Sequence, residues 1–143
     1  MSEVTPGRRI FETGIVAIIR GIEAHVCNEV VTALAAGGVE TIEITANTPG
    51  AIEMIRQVSD EVDDIIIGAG TVLDSETARA VQLAGAEFVV TPAVNTDVIE
   101  TCNRYGTPIA TGVLTPTEAV KATEAGADFC KLFPASTVGP GHV

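Results

Sequence analysis

The sequence predicts an α/β fold with parallel strands, and three observations predict it. Short β-branched runs alternate with amphipathic phrases rich in alanine and glutamate. The runs recur every roughly 20 to 26 residues, which leaves room for a crossover helix between parallel strands. No break in composition divides the 143 residues, so residues 1–143 read as a single domain.

Taken in order, a short helix around Gly7 to Glu12 precedes the first strand, Ile15 to Ile19. The further strands are Thr41 to Thr45, Ile65 to Ile67, Phe88 to Thr91, Pro108 to Thr111 and Phe129 to Phe133. Between them, Ala35-Ala36-Gly37-Gly38, Ala84-Gly85-Ala86 and Ala125-Gly126-Ala127 end helices with glycine where a left-handed cap is needed. Asp74-Ser75-Glu76 and Thr115-Pro116-Thr117-Glu118 begin helices with a capping side chain, the second with proline at an early position. Six strands and five intervening helices result, and Gly139 to Val143 follow the sixth strand with no helix to cover it. Alternation of this kind fits either a doubly wound open sheet or a (β/α)₈ barrel, and periodicity does not separate them. A complete barrel takes on the order of 200 to 250 residues, so as a barrel this chain supplies about six units and lacks the last quarter.

Composition narrows the function. Nineteen acidic against eight basic residues give a net charge of −11, which opposes binding to nucleic acid and to anionic membranes. The same excess of acid suits a surface kept hydrated at high salt. No apolar run approaches the roughly 20 residues of a membrane helix, and the opening MSEVTPGRRI has neither a signal-peptide nor a transit-peptide pattern, so the expected location is the cytoplasm. Cys27, Cys102 and Cys130 are irregularly spaced and read as reduced thiols rather than as disulfides or zinc ligands.

Two lysines are present. Lys121 sits among polar residues at helical spacing and reads as a surface charge. Lys131 lies in the strand phrase Asp128-Phe129-Cys130-Lys131-Leu132-Phe133-Pro134, where burial would favour a neutral amine able to attack a ketone; the competing reading is a strand lysine on a polar face or edge. Glu43, flanked by Ile42 and Ile44, shares one face of its strand with Thr41 and Thr45, and burial there would raise its pKa towards acid–base use. The bland alternative is a salt bridge. Gly68-Ala69-Gly70-Thr71-Val72-Leu73 invites comparison with a dinucleotide fingerprint, but Leu73 stands at the third glycine position, so a strand-end loop that meets substrate with its amides and the Thr71 hydroxyl is the better reading. His25 and His142 are far apart and read as surface residues, which argues against a metal site. Cys130 should point away from Lys131.

These phrases assemble into a resemblance. Ile15 to Gly21, Gly37-Gly38-Val39, Ile42-Glu43-Ile44-Thr45, Gly68 to Leu73, Val90-Thr91-Pro92, Thr115 to Glu118 and Lys131 to Ala135 resemble, in order, the 2-keto-3-deoxy-6-phosphogluconate (KDPG) and 4-hydroxy-2-oxoglutarate (KHG) aldolase family. The resemblance implies a (β/α)₈ barrel, commonly a homotrimer, with no metal and no cofactor. It implies that Lys131 forms a carbinolamine and then an iminium with the C2 keto group of a sugar-acid phosphate, while Glu43 moves protons. The implied products are pyruvate and glyceraldehyde 3-phosphate, as in the Entner–Doudoroff route. Arg20, Thr71, Pro92 and Phe133 match positions near the pyruvyl end of the substrate.

One departure concerns the phrase after the glutamate, Thr45-Ala46-Asn47-Thr48-Pro49, where many family members carry arginine. Asn47 is therefore a substrate-contact candidate, Arg20 takes more of the carboxylate anchoring, and the phrase is similar to the 6-phosphogalactonate branch. The other departure is length: strands seven and eight, whose loops usually hold the phosphate, are not in this chain. Weak activity is the expectation. The alternatives are a 6-phosphogalactonate-type or 4-hydroxy-2-oxoglutarate aldolase, a phosphate-binding barrel that uses no Schiff base, and an inactive fragment.

Overall fold

A computed structural model describes residues 5–143. Helix α1 (Pro6–Thr13) leads into β1 (Ala17–Ile19), and a 3₁₀ turn precedes α2 (Cys27–Ala36). Then come β2 (Thr41–Thr45), α3 (Ala51–Glu61), β3 (Ile66–Gly70), α4 (Ser75–Leu83), β4 (Phe88–Thr91) and α5 (Thr96–Tyr105). β5 (Ile109–Val113), α6 (Pro116–Glu124), β6 (Phe129–Leu132) and the short α7 (Ala135–Val138) follow, and a 3₁₀ turn at Pro140–His142 is the last described element. The capping reads hold: the Asp74 side chain accepts from the Thr77 amide, Thr115 and Glu118 form a reciprocal capping box, and Gly38, Gly85 and Gly126 all have positive φ.

The strands are parallel and lie in the order β1-β2-β3-β4-β5-β6. A doubly wound sheet reverses its order at a switch point; this one does not. In a flat sheet five strand spacings of about 4.8 Å would hold β1 and β6 about 24 Å apart. Here Ile18 of β1 and Lys131 of β6 line the same cleft, so the sheet curls into an incomplete barrel. The choice left open by periodicity is thereby settled.

Alternation along the strands divides the interior into two layers. Ile42, Ile44, Ile67, Ala69, Val89 and Ile109 face the helices and pack with Val31, Ile55, Val58, Val81, Val98 and Ile99. Full burial of such side chains stabilises by about 1.5–3 kcal/mol each as an upper bound. On the concave face Ile66, Phe88 and Val90 pack with Ile10 of α1, Val16 and Ala110. Helix α1 closes the end at which the strands begin, its Thr13 Oγ1 lying 3.4 Å from Thr41 Oγ1. The polar groups of the concave face therefore open at the other end.

Several expected boundaries shift. Ile15 and Val16 precede β1 rather than belong to it. β3 runs on through Gly70, so Gly68-Ala69-Gly70 are strand residues and not a loop, because each pairs with β2: Gly68 with Glu43, Ala69 with Ile44 and Gly70 with Thr45. β5 begins at Ile109 and extends to Val113, drawn out by pairing of Gly112 with Lys131 and Val113 with Leu132. Phe133 lies outside β6, and β6 is followed by α7, a short helix where none was expected.

Glycine is required on the concave face where strands or loops approach closely. A Cβ on Gly112 would fall on the backbone carbonyl of Pro92, which cannot swing aside. Gly112→Ala is expected to cost about 1–3 kcal/mol, read as a lower urea midpoint with unchanged slope. An unchanged midpoint would show that the Pro92 loop moves freely.

Candidate active site

Four of the sequence candidates converge where the strands end. Lys131 belongs to β6 and Glu43 to β2, while Arg20 and Phe133 each follow a strand by one residue. Arg20, Lys131 and Phe133 line one cleft of ≈ 460 Å³ together with Ile18 and Pro134. Lys131 Nζ lies 5.3 Å from the centre of the Phe133 ring, within cation–π reach.

Lys131 itself corrects an expectation. It is half-buried rather than buried, and among the described residues β6 pairs with β5 alone. Cys130 points the other way, as alternation requires: its Sγ lies 3.9 Å from the Ala119 carbonyl oxygen of α6.

Glu43 is 2% exposed, its side chain reaching from β2 towards Gly70 of β3. A Cβ on Gly70 would overlap its carboxylate, so glycine at that position makes the space Glu43 occupies. Burial raises its pKa above the ordinary carboxyl value, and the positive charges of Lys131 and Arg20 only partly oppose that rise. The two partial counter-effects also show that Glu43 lies within the electrostatic reach of both cations.

A Nη2 hydrogen of Arg20 is donated to Thr71 Oγ1 at 3.2 Å. Thr71 has φ 56°, a left-handed conformation that costs a β-branched residue on the order of 1–3 kcal/mol. The strain turns the chain sharply as it leaves β3 and presents the hydroxyl to Arg20. Thr71 also lines a second, smaller cleft of ≈ 160 Å³ with Asn47, Leu73 and Asp74. The Arg20–Thr71 bond thus joins the two clefts, and Asn47 stands in the second rather than beside Lys131. Pro92 lies against Gly112, the β5 partner of Lys131.

Two residues, one lining the site and one beside it, were not singled out from the sequence. Ile18 lines the lysine cleft, and Thr48, 3% exposed, accepts a hydrogen bond from the Gly21 amide at 3.0 Å and lies 2.9 Å from Thr45 Oγ1. The spacing Thr45-x-x-Thr48 was the available signal for the second.

A curled parallel sheet whose charged groups gather on its concave face, towards the ends of its strands, defines a β/α-barrel protein with its candidate site at the usual face. Within that class, the chain belongs to the KDPG and KHG aldolase family, whose sequence model matches residues 8–141. It is 42% identical over 107 residues to a 2-dehydro-3-deoxy-phosphogluconate aldolase of Treponema pallidum, covering 75% of this chain and 51% of that protein. It is 37% identical over 130 residues to the 2-dehydro-3-deoxy-6-phosphogalactonate aldolase of Escherichia coli, covering 90% and 63%. The KDPG aldolase of Legionella pneumophila, solved with pyruvate captured at low pH as a covalent carbinolamine, superimposes with a TM-score of 0.86 at 28% identity, covering 93% of this chain and 65% of that one. The chain therefore spans about half to two-thirds of the length of these relatives.

Proposed function

We propose that this chain carries the pyruvate-handling part of a class I aldolase that cleaves 2-keto-3-deoxy-6-phosphogluconate, with Lys131 as the nucleophile. The observation that carries the reading is the convergence of Lys131 and Arg20 in one cleft, with the buried Glu43 within electrostatic reach of both. The neutral Lys131 amine attacks the C2 keto carbon, and the carbinolamine loses water to give an iminium. Glu43 takes the proton of the C4 hydroxyl as the C3–C4 bond breaks, and the bonding pair flows into the iminium to leave an enamine and an aldehyde. Protonation at C3 by Glu43 and hydrolysis release pyruvate and the free lysine.

Arg20 pairs with the substrate carboxylate, and Thr71, Phe133 and Pro92 border the pyruvyl end. The raised pKa of Glu43 suits a group that both accepts and returns a proton. The phosphate is held in barrels of this class by loops after strands seven and eight, beyond the six strands here. No helix among the described residues is long and apolar enough to cross a membrane, which is in keeping with action in the cytoplasm. Exposed Leu83 and Tyr105 on α4 and α5 offer apolar surface for a homotrimer.

Asn47, in the smaller cleft with Thr71, favours a second reading in which the preferred substrate is the 6-phosphogalactonate epimer. Each epimer is supplied to the chain and pyruvate release is followed. Measurable release, faster from the gluconate epimer, is the expected result; faster release from the galactonate epimer transfers the assignment to it. No release from either, with the fold intact, favours the inactive fragment.

A further inference from the structure

The loops that follow β1 and β2 are joined by a buried relay of two hydroxyls. The Gly21 amide donates to Thr48 Oγ1 at 3.0 Å, and Thr48 Oγ1 lies 2.9 Å from Thr45 Oγ1. Thr48 is 3% exposed and Thr45 fully buried, so the contact between the two hydroxyls is shielded from water, while the bond from the Gly21 amide is partly buried. Thr45 is the last residue of β2, on the same strand as Glu43 and two residues beyond it. Gly21 directly follows Arg20 and has φ 66°, a conformation only glycine adopts without strain.

The consequence concerns Arg20. Its side chain is exposed, and its one side-chain partner among the described residues is the Thr71 hydroxyl. The guanidinium is therefore aimed by that one bond and by its own backbone, which is held on its carboxyl side by the Thr48 hydroxyl. We infer that Thr48 is a positioning residue: through the Gly21 amide it holds Arg20 over the cleft it shares with Lys131, and so sets the affinity for the carboxylate of a 2-oxo acid. The inference rests on the reading of Lys131 and Arg20 given above.

Arg20 binds the carboxylate and takes no part in the bond changes at C2, so loosening it raises the concentration of 2-oxo acid required without lowering the rate at saturation. Thr48→Val keeps the shape of the side chain and removes the acceptor, whereas Thr48→Ser keeps the hydroxyl. Each form of the full chain is incubated with graded pyruvate and cyanoborohydride, and the reduced adduct on Lys131 is measured by peptide mass spectrometry.

Thr48→Val is expected to raise the half-saturating pyruvate concentration about tenfold, with trapping at saturation within about twofold of the unsubstituted chain. Thr48→Ser is expected to restore the original value. Amide exchange at Gly21 is expected to accelerate in Thr48→Val alone. An unchanged pyruvate dependence in Thr48→Val overturns the inference, as does an equal loss in Thr48→Ser, which would make the effect one of packing. Absence of an adduct on Lys131 in the unsubstituted chain overturns the nucleophile assignment, and the inference falls with it.

Discussion

Lys131→Met is expected to lower pyruvate release by at least about a thousandfold while leaving the melting temperature close to that of the unsubstituted chain. The size of the effect follows from the chemistry: without an amine there is no iminium to receive the electrons of the breaking C3–C4 bond, and no other lysine is near. Lys121, the second lysine of the chain, is exposed on α6, so Lys121→Met is expected to change nothing and serves as the control. The small effect on stability follows from the structure: Lys131 is half-buried at the end of the sheet and makes no salt bridge among the described residues. Release that survives in Lys131→Met would transfer the chain to the class of barrels that use no Schiff base.

Glu43→Gln is expected to separate function from stability. The exchange of the methyl protons of pyruvate with deuterated water, followed by NMR, falls by about 10²- to 10⁴-fold when the proton carrier is lost. Stability moves the other way. Burial raises the pKa of Glu43 in the folded chain, so the folded state holds this proton to higher pH than the unfolded state does. Its contribution is fully present below the ordinary value of 4.5 and is lost as pH rises through the raised folded value. Glutamine does not ionise and escapes that loss. The variant is therefore expected to melt above the unsubstituted chain at pH 7, and the two are expected to converge below pH 4.5. A variant that melts lower at pH 7 would mean that attraction to Lys131 and Arg20 outweighs the cost of burying the charge.

Much of this is legible in the residues, and the parts that are not have physical causes. The helix ends are legible because capping is local: Asp74 and Thr115 need only the next few amides, and Gly38, Gly85 and Gly126 answer a backbone requirement of their own positions. Strand order is not local, and periodicity alone leaves an open doubly wound sheet and a barrel equally compatible with the pattern. The far ends of β3 and β5 are set by their neighbours: Gly70 and Gly112 have weak strand preference and are extended because Thr45 and Lys131 pair with them.

The same distinction holds at the site. The burial of Glu43 follows from its isoleucine neighbours and was readable, and so was the opposite facing of Cys130. The partial exposure of Lys131 was not, since it depends on which strands pair with β6 rather than on the apolar residues around it. Asn47 and Thr71 come to share one cleft because Thr45 and Gly70 pair at the ends of the adjacent β2 and β3, and Thr48 matters only because the β1 and β2 loops meet. Roles that arise from two loops meeting leave little trace in either loop alone.

The most direct test of Lys131 as a Schiff-base nucleophile is reduction of the chain with borohydride in the presence of pyruvate, followed by peptide mass spectrometry. The structure predicts one reduced pyruvate adduct, on Lys131 and not on Lys121. A folded chain that gives no adduct, or gives it equally on both lysines, would contradict the assignment.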